Sequence, residues 1–200
     1  MPNQKDAQNI VKPTADTLAN AARAAGKKGP PPVHLWNPDF CGDLDMRIAR
    51  DGTWFYLGTP IGRKPLVKLF SSIIRKDDDK YFLVTPVEKV GITVDDAPFV
   101  AVDFDVSGSG ETQSVTFTTN VDDTATAGAA HPIRVARHPE TGEPSPYVLI
   151  RTNLEALIDR KSFYRLVDLG VHRQIGLERW FGLWSDGEFF PIIPSEELEG

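Results

Sequence analysis

Asp43-Leu-Asp-Met-Arg-Ile-Ala-Arg-Asp-Gly-Thr-Trp-Phe-Tyr-Leu-Gly-Thr-Pro-Ile-Gly-Arg-Lys-Pro-Leu-Val-Lys-Leu-Phe-Ser-Ser-Ile-Ile74 is the stretch on which the fold turns. Asp51-Gly52 sits between two strand-like runs, 45–50 and 53–57, and an Asp-Gly pair favours the two-residue type I′ hairpin loop, which needs positive φ at both positions. In that register Arg50 faces Thr53, Ile48 opposes Phe55 and Met46 opposes Leu57, so one side of the pleat is wholly apolar. The reverse side holds Asp45, Arg47, Ala49, Trp54 and Tyr56, a mixture of charge and large rings. Leu66, Leu69, Phe70, Ile73 and Ile74 then recur at helical spacing, and Pro65 suits the first turn of that helix, where a missing N–H costs nothing.

Beyond this stretch, Asp77, Asp78 and Asp79 form a solvated run that ends the helix, and strands are predicted over 81–85 and 87–94, closing a first half near Asp95-Asp96. Further strands follow over 99–106, 114–119, 133–137 and 147–152, with a small-residue loop over 120–130. Phe163, Leu166, Val167, Val171 and Ile175 predict one longer helix stopped by Gly176. A second Asp-Gly hairpin at Asp186-Gly187 sets Leu183 against Phe190 and Phe181 against Ile192, with Trp180, Trp184 and Phe189 on the reverse side. Upstream, an Ala-rich helix from Thr14 to Ala25 leads to Gly26-Lys27-Lys28 as a helix end and Pro30-Pro31-Pro32 as a stiff linker. The expected class is α+β: two related β-rich repeats, each with hairpins and one packed helix. The expected domains are residues 1–31 as an N-terminal appendage and linker, 32–96 as the first repeat and 97–200 as the second.

The chain has 200 residues, 40% hydrophobic and 25% charged, enough for a sizeable core. A net charge of −6 argues against a broad face for a phosphate backbone, so nucleic acid is not the expected partner. The single cysteine, Cys41, cannot close an internal disulfide, which fits a reducing, cytoplasmic setting; it is expected as a small buried residue. Asp16, Asn20 and Arg23 interrupt the Ala-rich run, so neither a signal-peptide core nor a membrane span is expected.

Motifs for chemistry fall short. Gly58-Thr-Pro-Ile-Gly62-Arg-Lys-Pro65 lacks the spacing and the Ser/Thr of a phosphate loop. Ser107-Gly-Ser-Gly110 leads into a strand, with no helix behind it to receive a phosphate. His34, His131, His138 and His172 show no metal-site spacing, and Asn120, Asp122 and Asp123 lack the Gly and Glu of a calcium loop. Asp103 and Asp105 lie on one strand face about 6–7 Å apart, as solvated strand faces ordinarily present them. No catalytic residue, metal or cofactor is therefore expected. One constellation survives: Gly62, Arg63 and Lys64 precede a helix whose positive end favours an anion, while Trp54 and Tyr56, with Arg47, could stack a ring. Trp184 offers a corresponding ring in the second hairpin. Together they suggest a ligand that is both phosphate-bearing and aromatic. The competing reading has the Trp-bearing faces packing the halves together.

The runs Cys41-Gly-Asp-Leu-Asp-Met-Arg-Ile-Ala-Arg-Asp-Gly-Thr-Trp54, Tyr81-Phe-Leu-Val-Thr-Pro-Val-Glu-Lys-Val90, Thr119-Asn-Val-Asp-Asp123 and Trp184-Ser-Asp-Gly-Glu-Phe-Phe190 resemble an uncharacterised bacterial family, domain of unknown function number 1285. The resemblance covers most of the chain beyond about residue 35. It implies a duplicated core, a C-terminal part loosely similar to pleckstrin-homology-like domains, and a ligand groove between the halves. It also implies a nucleotide-like ligand and a signalling role, and it carries no catalytic residues. The leading expectation is thus a ligand-binding or signalling module, holding a small anionic, nucleotide-like ligand between its two repeats through Arg47, Trp54, Tyr56, Arg63, Lys64 and Trp184. A protein-interaction module is the alternative, in which the Trp-bearing strands and the 120–130 loop receive a partner chain. A hydrolase using Asp and His residues is the third reading.

Overall fold

The computed structural model describes residues 12–26 and 30–198. The chain forms two compact units, Met1–Met46 with Tyr56–Thr93 and Arg47–Phe55 with Val94–Gly200. Both are β-rich and contain helices, as an α+β chain of two repeats requires.

In the first unit, helix α1 (Ala15–Ala25) opens with a reciprocal cap in which the Thr14 hydroxyl accepts the Thr17 N–H and the Thr17 hydroxyl accepts the Thr14 N–H. Its stripe of Leu18, Ala19 and Ala22 is buried, and α1 packs on helix α2 (Lys64–Ser71). Leu18, Ala19 and Ala22 thus lie in the unit's core, within the stretch expected as an appendage, because small Ala side chains let two helices approach closely. Of the helix end expected at Gly26-Lys27-Lys28, positions 27 and 28 lie outside the described residues, as do residues 1–11 of the expected appendage. Helix α2 takes Pro65 in its first turn and ends at Ser71. Ile73 and Ile74 are buried beyond its end, where the chain has already turned into a strand.

The first sheet holds β1 (Phe40–Ile48), β2 (Trp54–Tyr56), β3 (Thr59–Pro60), β4 (Ile74–Asp77), β5 (Lys80–Val84) and β6 (Lys89–Val94), in the order β3-β2-β1-β6-β5-β4. Asp78 and Asp79 form the tight turn between β4 and β5, with Asp77 opposite Lys80 and Asp78 at φ 52°. Asp77 sits among cations: Arg75 Nε is 2.9 Å and Lys89 Nζ 2.7 Å from its carboxylate. Burial raises its pKa, but the hydrogen bonds from Arg75 and Lys89 outweigh this and hold the carboxyl below the usual range. A depressed carboxylate contributes stability above its unfolded pKa, near 4, and loses it as pH falls through the lower folded value. Asp77→Asn should therefore cost about 1 kcal/mol at pH 7, and the gap to wild type should close as pH drops from 5 towards 2 in urea titrations.

The hairpin from β1 to β2 differs from the expected one by a single residue. Ala49 N–H donates to Thr53 O at 2.9 Å and Gly52 N–H to Ala49 O at 2.9 Å, so the loop has three residues, 50–52. Only Gly52 takes positive φ, +85°, while the Asp51 carboxylate accepts the Thr53 N–H at 2.9 Å. This is a turn closed by a glycine bulge. It places Ala49 opposite Thr53 and, as the Leu57 N–H to Asp45 O bond at 3.0 Å confirms, Asp45 opposite Leu57. A one-residue shift exchanges the two faces of the strand. Trp54 therefore turns to the same face as Ile48 and is buried at 1% exposure, while Leu57 turns out to solvent.

The second unit holds a sheet of β7 (Phe99–Ser107), β8 (Ser114–Thr119), β9 (Thr124–Thr126), β10 (Ile133–Arg137), β11 (Pro144–Arg151) and β12 (Leu154–Ile158), in the order β10-β11-β12-β7-β8-β9. The predicted 120–130 loop thus contains a short strand. Helix α3 (Arg160–Val167) is shorter than expected, and Val171 and Ile175 lie instead in strand β13 (Val171–Ile175), with β14 (Glu178–Ser185) and β15 (Glu188–Pro194) completing a three-stranded sheet. The i, i+4 spacing of Val171 and Ile175 also fits one face of a strand, and Gly170 is where the chain changes course. At the second Asp-Gly turn, Asp186 (φ 49°) and Gly187 (φ 78°) both take positive φ, and Leu183 opposes Phe190 as expected. Past a bulge, Phe181 opposes Ile193, one residue later than expected. The two Asp-Gly hairpins therefore use different turns.

Candidate functional site

The three-residue loop carries Arg50 to the wall of a groove of about 470 Å³ that lies wholly in the second unit. Arg50 is held there. Its Nη2 donates to Ser145 Oγ at 2.9 Å, and its Nε stands 3.3 Å from Asp96 Oδ2. Asp96 is fixed in turn by the Tyr147 hydroxyl, which donates to Oδ1 at 2.7 Å, and the Arg134 guanidinium lies 4.2 Å over the Tyr147 ring. Burial, with the bond to Asp96, pushes the Tyr147 phenol above its ordinary pKa, so it stays a donor.

The groove is also lined by the start of α3. Asp159 caps this helix, accepting the Ser162 N–H at 2.7 Å, and so occupies its positive end. Arg160 follows, its Nη2 2.6 Å from Glu143 Oε1 in the β10–β11 loop. Phe163 and Tyr164, three and four residues on, share its helix face. Tyr164 is largely exposed, and Pro146, Leu157 and Ile158 supply apolar lining. An arginine has five N–H donors, so Arg50 retains donors beyond those facing Ser145 and Asp96.

The residues singled out from sequence are distributed differently. Tyr56 and Arg63 come together, lining a separate hollow of about 310 Å³ in the first unit with Thr14, Asp16, Pro60 and Leu66. The α2 entry there is poor in donors: Pro65 has no N–H, and the Leu66 and Val67 N–H groups already bond Arg63 O. Lys64 heads that helix and does not line the hollow. Arg47, Trp54 and Trp184 belong to the second unit. Arg47 is engaged with both oxygens of Asp95, and that bond holds the Asp95 carboxyl below its usual range. Trp54 fills the core and offers no ring to a ligand, because of the register shift at Gly52. Trp184 lies on the outer side of the last sheet under the Arg173 guanidinium, 4.3 Å away. Arg50, Arg160 and Tyr164 escaped sequence reading: Arg50 looked like a turn neighbour, although the Arg160-x-x-Phe163-Tyr164 spacing was available as a signal.

No reaction centre assembles among the described residues. Asp103 pairs with Arg165, His131 Nδ1 lies 2.9 Å from Leu149 O, and His172 Nδ1 lies 2.7 Å from Ser195 Oγ. Cys41 is exposed, not buried, since it sits on an outward position of β1 with its thiol donating to Asp39 O at 3.3 Å. Among the described residues no group of three His, Cys, Asp or Glu is able to hold a metal, and no helix is long and apolar enough to cross a membrane.

Fold and site together define a two-domain, β-rich α+β protein with a cation- and aromatic-lined groove. The chain belongs to the DUF1285 family: residues 31–97 match its N-terminal domain, a domain of unknown function, and residues 98–192 its C-terminal domain, a protein of unknown function. It is similar to a DUF1285 family protein from Silicibacter pomeroyi DSS-3, with 64% identity and a TM-score of 0.83 over 92% of this chain and 98% of that one. A DUF1285 family protein from Shewanella baltica OS155 is 30% identical, with a TM-score of 0.50 over 62% of this chain and 91% of that one. No curated protein matches the chain.

Proposed function

We propose that the chain is a cytoplasmic binding or signalling module that holds a small anionic, nucleotide-like ligand in the groove of its second unit. Arg50 and Arg160 meet the anion, and Tyr164 and Phe163 meet the ring. The observation that carries this reading is the presence of two guanidinium groups and two aromatic side chains on one groove of about 470 Å³, a size suited to a small ligand. A guanidinium fork matches phosphate oxygens, and Arg50, already held by Ser145 and Asp96, loses little freedom on binding. The Arg160–Glu143 pair is 73% and 60% exposed, so it contributes little to stability and a phosphate can take Glu143's place. The smaller hollow of the first unit is lined by Asp16 as well as Arg63, and a carboxylate there opposes an anion.

Thermal-shift titration with ATP, GTP and their diphosphates tests the reading. At least one nucleotide should raise the melting temperature of wild type, the Arg50→Ala/Arg160→Ala variant should lose that shift, and Glu143→Gln should enlarge it by removing the competing carboxylate. An Arg63→Ala/Lys64→Ala variant should respond like wild type. Failure of every nucleotide to stabilise wild type, or an equal response from the groove variant, would refute the proposal.

A further inference from the structure

Strand β13 is the edge of the last sheet, and among the described residues it pairs only with β14, in continuous register from Val171 opposite Gly182 to Ile175 opposite Glu178. All five of its residues are exposed, and Leu177 in the turn beyond it is fully so. Protein edges are ordinarily protected by Pro, charged side chains, a bulge or a covering element, and of these β13 has only Arg173 at its centre. Its outward face carries Val171, Arg173 and Ile175, continued across the sheet by Trp180, Trp184 and Phe189. Tryptophan and arginine are the residue types that most often dominate binding surfaces.

Arg173 decides what the edge takes. Its guanidinium stacks on the rings of Trp184 (4.3 Å) and Phe189 (5.4 Å), which fixes its plane while leaving its N–H rim for an acceptor. Unlike Arg47, Arg50, Arg134, Arg160 and Arg165, it has no carboxylate partner among the described residues. We infer that the free edge of β13 receives an extended segment of an acidic partner protein, which adds as a fourth strand and sets a carboxylate opposite Arg173, between apolar residues facing Val171 and Ile175. Backbone hydrogen bonds supply affinity, and the alternating side chains supply selectivity. A second copy pairing antiparallel about Arg173 is disfavoured, because it opposes two guanidinium groups.

The test uses the whole, ¹⁵N-labelled chain with the peptide acetyl-Ser-Val-Thr-Glu-Thr-Val-Ser-amide and its counterpart bearing Lys in place of Glu. The acidic peptide should shift the amide signals of residues 171–175, and should bind about fivefold more tightly than the basic one, as expected for one added charge pair. Arg173→Lys should keep that preference and Arg173→Glu should reverse it, with the remaining spectrum unchanged in both variants. No movement at 171–175, or equal binding of the two peptides, overturns the inference. So does a concentration-dependent dimer that Ile175→Lys dissolves, which would assign the edge to a second copy.

Discussion

Trp54→Ala should destabilise the second unit by about 3–5 kcal/mol, the usual cost of removing a buried tryptophan. At about 2–4 °C per kcal/mol for a chain of this size, the melting temperature should fall by roughly 10 °C. The cause is a cavity: Trp54 is 1% exposed, a large side chain wholly inside the core of its unit. Trp54→Phe, which retains most of the apolar volume, should recover about half of the loss. A ring standing in a ligand cleft would behave otherwise, its removal weakening ligand binding and leaving the apo melting temperature within a degree or two. Differential scanning calorimetry of wild type and both variants separates these outcomes.

The second large effect is expected at Gly182. A Cβ placed there would come within 2.2 Å of Phe190 O and 2.8 Å of the Phe189 ring. The first of these is backbone, which cannot swing aside as a side chain can, and Gly182 sits beside the bulge that carries β14 past β15. Gly182→Ala should therefore cost about 3 kcal/mol, at the upper end for an overpacked site. It should first expose the amides of β14 and β15 to hydrogen exchange while those of β4 and β5 keep their protection. A melting temperature within two degrees of wild type would show that the strands have room to part.

Much of this architecture can be read from the chain, and the misreadings have physical causes. The strand over 99–106 and the Asp186-Gly187 turn are local properties and both stand in the structure, but a bulge between Ala101 and Asp103 breaks the expected alternation, burying Ala101 and leaving Val102 and Val106 exposed. The first hairpin deceived because Asp-Gly serves two turns. The structure takes the bulged turn, in which the Asp51 carboxylate holds the Thr53 N–H and the Asn120 side-chain amide donates to Gly52 O at 3.3 Å from 68 residues away. No local pattern contains that bond. The single-residue shift removed Trp54 from the candidate site and left Tyr56 and Arg63 in a hollow of their own. The groove residues were harder still to find, since Arg50, Ser145 and Arg160 are brought together only by tertiary packing. The long helix expected through Ile175 failed differently, because Val171 and Ile175 satisfy helical and strand periodicity alike.

The second unit draws residues 47–55 and 94–200 from two stretches of chain separated by residues 56–93 of the first. Synthesis cannot complete these units in strict succession: the hairpin tip is made early but has to wait for Val100 and Asn120 before it has anything to pack on. A fragment beginning at residue 98, where the C-terminal family domain starts, lacks Trp54 from its core, Arg50 from its groove and the Asp96 that holds Arg50. Dissection at that boundary should give an aggregation-prone product even though the family domain it contains is intact, and co-expression with residues 1–97 should restore solubility.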